Sequence, residues 1–331
     1  MKGFRIASVE IDNRYVLAPL AGFTDYSMRK MCSDCGAGLV YTEMESCDSI
    51  LYHSQATIDD LLATKLDKKN CPTSRLALQI FGGKKDIVLK SIPVFESYGD
   101  YDFLDFNCGC PVPKVLKQKA GSGWLKRPDE MIELLGEMVK ISKKPVICKI
   151  RLGFETILDI PALVKRIEEV GVKAIAIHGR TRNELFQGPV HYDEIKKAKE
   201  ACSIPIIANG GIDENNGLDI LKMTGADAIM IGQRAIGYPK VFSDLVRKEE
   251  GLTPLDNSLK RQVDDLKKHL ELIFSIKDER RASDVMRGIS TRYIKGYDNC
   301  ASIRSRLVHC RSLQEYMDVL DSIPLDGNIG A

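Results

Sequence analysis

The sequence predicts an α/β fold, a (β/α)8 TIM barrel followed by a small all-helical C-terminal domain, and three observations lead there. Short apolar runs alternate with longer amphipathic stretches eight times within residues 1–250, in both number and spacing as an eight-unit barrel requires. No Gly-x-Gly-x-x-Gly turn follows an early strand, as a dinucleotide-binding open sheet would need. Beyond Gly237 the alternation stops: Pro254-Leu-Asp-Asn-Ser breaks the rhythm, and Leu266, Leu270, Ile273 and Phe274 recur at helical spacing. The expected division is a catalytic barrel over 1–250 and a helical domain over 251–331.

Taken in order, the expected strands are Val16–Ala21, Leu39–Met44, Leu76–Phe81, Phe103–Asn107, Val146–Ile150, Ala174–His178, Ile206–Asn209 and Ala228–Ile231. Each is a run short and apolar enough for a parallel strand covered on both faces. The helix signals lie between them. Pro128 with Asp129 and Glu130 opens one helix, whose apolar face is Met131, Leu134, Leu135 and Met138. Leu158–Val170 and Tyr192–Ala201 follow the same pattern. Cys32-x-x-Cys35 has no second pair at metal-binding spacing and reads as a helix ending at Gly36.

The fourth strand stops in Cys108-Gly-Cys110-Pro-Val-Pro113, whose prolines lack the donors to continue a ladder. Both thiols therefore stand at a strand's carboxyl end, the face on which barrels carry their chemistry. Cys110, followed by Pro111 and a lysine-bearing loop, has the exposure and nearby positive charge that make a thiol useful, whereas Cys108 reads as a packing residue. Polar groups recur at the other strand ends: Pro19 and Thr24, Glu43, Gln79, Asn107, Lys149 and Arg151, His178 and Arg180, Asn209-Gly210-Gly211, and Gly232-Gln233-Arg234. The glycines after strands seven and eight either turn the chain or let backbone N–H groups approach an anion, and their occurrence in both loops favours a phosphate site. A lysine within a buried strand demands a partner. For Lys149 that partner is an anionic cofactor edge or a carboxylate, Glu43 or Asp105. His178 is either a satisfied core histidine or a cofactor donor.

The composition, 44% hydrophobic and 28% charged, excludes a disordered or fibrous chain. The net charge is +2, but residues 280–310 carry seven Lys/Arg against Asp284 and Asp298. That +5 segment on a body of −3 points to a polyanion contact or to a solvated helix face. No signal-peptide core and no run of about 18 apolar residues occurs, so a cytoplasmic protein without a membrane contact is expected, its ten cysteines free.

Together these pieces resemble the tRNA-dihydrouridine synthases, flavin enzymes that reduce uridines in tRNA. The resemblance runs over nearly the whole chain. It is carried by Leu17-Ala-Pro-Leu-Ala-Gly-Phe-Thr-Asp25, Leu78-Gln-Ile-Phe-Gly82, Asn107-Cys-Gly-Cys-Pro-Val-Pro-Lys-Val115, Lys149-Ile-Arg-Leu-Gly153, His178-Gly-Arg-Thr-Arg182, Asn209-Gly-Gly-Ile212, Ile231-Gly-Gln233 and Met286-Arg287, in that order. The cysteine motif with Ala120-Gly-Ser122 after it is most similar to the bacterial B-type members.

The resemblance implies Cys110 as the acid that protonates C5 of the uracil. It implies FMN held by Ala18, Pro19, Leu20, Gln79, Lys149, His178, Asn209, Gly210, Gly211, Gly232 and Gln233. For the tRNA it implies contacts from Asn107, Lys114, Arg151, Arg180, Arg287 and Arg292. NADPH is the expected electron donor and tRNA the expected partner, with no metal, and a monomer is expected. Position 108 departs from the family's usual Met or Leu, Gly211 from its Asp, and Gln233 from its Arg. A barrel flavoprotein acting on a free pyrimidine would also use FMN and a loop cysteine, but would not require the basic helical tail. A non-catalytic RNA-binding module would need none of Cys110, Gln79 and Lys149.

Overall fold

The computed structural model describes residues 2–325. An antiparallel hairpin comes first, β1 (Phe4–Ile6) and β2 (Val9–Ile11). Eight parallel strands then close a barrel: β3 (Tyr15–Leu17), β4 (Leu39–Ser46), β5 (Arg75–Phe81), β6 (Phe103–Cys108), β7 (Val146–Arg151), β8 (Ile175–His178), β9 (Ile206–Asn209) and β10 (Ala228–Ile231). Neighbours pair in sequence order, and β10 closes on β3. All eight expected strands are present, with ends shifted by a few residues in most and unchanged in β9 and β10.

The expected helices form because their apolar stripes find the barrel wall. In the helix Pro128–Ile141, Met131, Leu134, Leu135 and Met138 are all buried. Alternate strand residues face inward instead. Val16, Leu39, Phe103, Ile147 and Ile207 fill the lower interior, and Ile6 and Ile11 of the hairpin pack into the same cluster. The hairpin, which the alternation of apolar runs did not signal, thus contributes its two inward isoleucines to the interior.

Past the helix Val241–Glu249 the chain is helical, with its own core around Leu266, Leu270, Ile273, Met286 and Tyr316. It is tied to the barrel by buried polar contacts. His269 Nε2 lies 3.0 Å from Ser27 Oγ, and the buried Lys240 ammonium meets Asp265 at 2.7 Å. All ten cysteines are free, and the helix ends at Cys35 and Gly36, the latter with φ of 95°. Among the described residues no helix is long and apolar enough to cross a membrane.

Candidate active site at the carboxyl ends of the strands

A cavity of about 520 Å³ opens at the carboxyl ends of the barrel strands. Ala18, Pro19 and Leu20 line it after β3, and Gln79, Lys149 and His178 rise into it from β5, β7 and β8. Asn209, Gly210 and Gly211 follow β9, and Gly232 and Gln233 follow β10, on the same cavity. Asn107, Cys110, Arg151 and Arg180 also line it. Three expected tRNA contacts stand elsewhere. Lys114 is exposed on the short helix Pro113–Lys117, and Arg287 and Arg292 belong to the helical tail.

The strand pleat decides which thiol reaches the cavity. Asp105 and Asn107 face the barrel interior, so Phe106 and Cys108 face outward, where Cys108 is fully buried in the outer core and Phe106 packs edge-on against Trp124. Cys110, two residues past the strand, is held from two sides. Asn107 Oδ1 accepts from the N–H groups of Gly109 (3.1 Å) and Cys110 (2.9 Å), while Ser122 donates to the Cys110 carbonyl from its backbone (3.0 Å) and its hydroxyl (2.9 Å). Gly121, at φ 60°, permits that approach, since a Cβ there would stand 2.7 Å from the Cys110 oxygen. Burial raises the Cys110 thiol above its usual pKa, opposed by the Val112 backbone, Arg151 and Lys149, so the thiol keeps its proton at neutral pH.

Lys149 is half-buried with Asn209 Oδ1 at 3.0 Å as its bonded partner, and desolvation lowers its pKa to about 8. Asp105 lies one layer deeper, and burial raises its pKa to about 8. Of the carboxylates considered as partners for Lys149, Glu43 is elsewhere. A register shift in β4 between Tyr41 and Met44 turns Glu43 away, and it accepts from the Gly22 N–H at 2.5 Å beside a second, acidic cleft. Met44 occupies the cavity wall instead.

His178 is driven far below its usual pKa by burial, and then by Lys149, Arg151 and Arg180, and is therefore neutral. Gly210, at φ 114°, sits where a Cβ would come within 2.9 Å of the imidazole. Arg151 donates to the carbonyls of Gly109 (3.0 Å), Thr181 (2.9 Å) and Leu185 (2.8 Å), and so joins the cysteine loop to the loop after β8. On that second loop Phe186 is 58% exposed, lines the cavity and lies 5.3 Å from the Arg151 guanidinium. Sequence reasoning passed over Phe186, because a single aromatic in a loop carries no periodicity.

At the mouth, positive charge gathers from the barrel and from the helical tail. Lys295 has its pKa lowered by burial and by Arg234, Arg292 and Arg304. Arg234, which lines the cavity, is paired with Glu214, whereas Arg292 lies over the ring of Phe23 at 5.4 Å.

The chain is similar to known proteins over most of its length. A "tRNA-dihydrouridine synthase B" of Pasteurella multocida is 35% identical over 301 residues, covering 88% of this chain and 87% of that protein. One of Klebsiella pneumoniae is 37% identical over 246 residues, 73% and 74% of the two chains. Among solved structures, the old yellow enzyme from Trypanosoma cruzi superimposes with a TM-score of 0.58 at 11% identity, over 77% of this chain and 92% of that one, a likeness of fold. The family model described as dihydrouridine synthase matches residues 16–326, nearly the whole length from β3 onward, and the chain belongs to that family.

Proposed function

We propose that the chain is an FMN-dependent tRNA-dihydrouridine synthase, reducing the C5–C6 double bond of uridines in tRNA with NADPH as electron donor and Cys110 as the acid. The observation that carries the reading is Cys110: a protonated thiol on a doubly tethered loop, opening on a cavity that also holds a half-buried ammonium, Lys149.

FMN fits the cavity. Lys149 is a half-buried cation whose bonded partner is a neutral amide, which suits an anionic group arriving beside it. A Cβ on Gly232 would meet only Ala18 and Leu20, at 3.8 and 3.9 Å, so backbone there is open to close approach. Ala18, Pro19 and Leu20 would form the apolar wall, and Gln79 and Lys149 would meet the polar edge of the ring. His178, Asn209, Gly210, Gly211, Gly232 and Gln233 would hold the phosphate end. When bound, FMN supplies the hydride transfer that no side chain of the protein can perform.

The protein's own residues do the rest. Cys110 holds a proton for C5 of the uracil, and its tethered loop limits where that proton is delivered. Asn107 orients the base, and Phe186 with Val112 offers apolar surface to a nucleotide flipped out of its stack. Arg151 fixes the two loops between which the base enters, and Arg180 stands beside it at the rim. Lys114, Arg287 and Arg292 meet tRNA phosphates. The Arg292–Lys295–Arg304 cluster favours this division of labour, a catalytic barrel over 1–250 and a tRNA-binding domain over 251–331, because a free pyrimidine would need no such field. The chain acts in the cytoplasm as a monomer.

The test is a map of dihydrouridine in tRNA from cells lacking the protein, complemented with wild type or Cys110→Ala. The expected result is loss at defined positions, restored by wild type only. An unchanged map would favour a free pyrimidine as the substrate.

A further inference from the structure

We propose that Asp105 is a positioning residue that, through Gln79 and Asn107, sets the orientation of the loop carrying Cys110. Asp105 and Gln79 are cross-strand partners on β6 and β5, both buried in the barrel interior. Gln79 Nε2 donates to Asp105 Oδ2 at 2.6 Å, and Asn107 Nδ2 donates to Gln79 Oε1 at 2.7 Å. Asn107 Oδ1 closes the chain by accepting from the N–H groups of Gly109 and Cys110.

The polarity of this chain is forced from the loop end. Backbone N–H groups only donate, so Asn107 must turn its oxygen to the loop and its nitrogen to Gln79. Gln79 must then present its oxygen to Asn107 and its nitrogen to position 105. Only a side chain with an acceptor at that depth completes the chain, and Asp105 provides it. A hydrocarbon at 105 would leave Gln79 Nε2 buried without this acceptor, at a cost that favours moving the amide toward the open cavity that Gln79 lines. A displaced Gln79 no longer accepts from Asn107 Nδ2, and the loop loses its inner tether. The second carboxyl oxygen, Oδ1, is buried with no partner among the described residues. A purely structural carboxyl would be expected to satisfy both oxygens; this one satisfies the oxygen that the chain requires.

The amides remain free to meet a ligand as well. Gln79 keeps one N–H hydrogen and a lone pair on Oε1, and the second Asn107 hydrogen goes only to the weak acceptor Met44 Sδ at 3.7 Å, so the chain can persist with the cavity filled. Asp105 touches neither substrate nor cofactor in this scheme and acts through the amides.

The experiment measures the thiol directly. Cys110 alkylation by iodoacetamide at fixed pH, followed on its own peptide by mass spectrometry, is compared in wild type, Asp105→Leu and Asp105→Asn. Release of the loop exposes a thiol that burial now protects, so Asp105→Leu should alkylate at least about threefold faster. Asp105→Asn, which keeps an oxygen for Gln79, should match wild type. The turnover arm rests on the proposed function: tRNA reduction should slow about tenfold or more in Asp105→Leu and stay normal in Asp105→Asn. If the wild type makes no dihydrouridine, that reading fails while the alkylation result still judges this one. An unchanged alkylation rate in Asp105→Leu, or an Asp105→Asn that behaves like Asp105→Leu, overturns the proposal. Should Asp105→Leu not fold, Gln79→Leu cuts the next link and must give the same acceleration; a wild-type rate there overturns it equally.

Discussion

The attachment of the helical tail to the barrel should weaken in mild acid, through His269. This imidazole is fully buried on the helix Leu259–Ile276, with Ser27 Oγ at 3.0 Å from Nε2 and Tyr293 Oη at 2.9 Å from Nδ1. Ser27 gives its one hydroxyl hydrogen to Asp25 Oδ1 at 2.6 Å, so Nε2 carries the ring proton and Nδ1 accepts from Tyr293. The folded protein thus binds the neutral ring. Burial lowers its pKa from 6.5 to about 4, against a smaller opposing pull from Asp25.

The sign follows from proton counting. Above pH 6.5 neither state binds a proton at His269, and its stabilising term is complete. As pH falls from 6.5 towards 4 the unfolded state takes up a proton that the folded state refuses, and stability is lost. At about 1.4 kcal/mol per pH unit, the whole window integrates to about 3 kcal/mol. Raised carboxylates, Glu43, Glu45, Asp60 and Asp105, act with the opposite sign but are common to wild type and variant. Urea denaturation at pH 7.5 and pH 5 on wild type and His269→Leu therefore isolates the term: wild type should lose about 2 kcal/mol more than the variant over that interval. Equal losses in the two proteins would refute the neutral, doubly bonded imidazole.

Other outcomes follow from the site. Cys110→Ala should retain FMN and tRNA but lose about a hundredfold or more in dihydrouridine formation, measured in single turnover with pre-reduced enzyme. Lys149→Met should weaken FMN binding about tenfold, read by flavin fluorescence on titrating the apoprotein, with wild-type affinity removing Lys149 from the cofactor edge. Arg292→Glu with Lys295→Glu should weaken tRNA binding and flatten its salt dependence, seen by filter binding at two ionic strengths; an unaltered slope would move the RNA contact off the tail.

The barrel was legible because parallel strands buried on both faces are written as short continuous apolar runs, which is what Ile206–Asn209 and Ala228–Ile231 are. The hairpin was not, since three-residue strands carry no usable period. The site was legible as a set of strand-end residues, because barrel topology brings all such positions to one face whatever their separation in sequence. What sequence could not supply was rotation and partnership. The irregularity in β4 that removes Glu43 depends on pairing with β5, and the carbonyls that engage Arg151 come from Gly109, Thr181 and Leu185, on two separate loops.

The distribution of buried polarity itself argues for a ligand at this face. Below Asp105 the barrel interior is apolar apart from the Tyr41 hydroxyl, with Leu39, Phe103, Ile147 and Ile207 closed off by Ile6 and Ile11. Toward the mouth, Gln79, Asn107, Lys149, His178 and Asn209 all line the same cavity. A self-sufficient core would pair these groups completely, because an unpaired charge in such a place is costly. Here one side is linked into a chain, although Asp105 Oδ1 has no partner among the described residues, and the other is not. The Asp105–Gln79–Asn107 chain ends on the cysteine loop, while Lys149 and the neutral His178 meet amide and guanidinium neighbours and, among the described residues, no carboxylate within bonding distance. The deficit is a negative one, it lies beside the Gly210–Gly211 backbone, and it faces the tethered thiol across the same cavity. An anionic cofactor seated there would neutralise Lys149 and leave Cys110 free to face a substrate, so a single bound group accounts for both the unmet charge and the position of the acid.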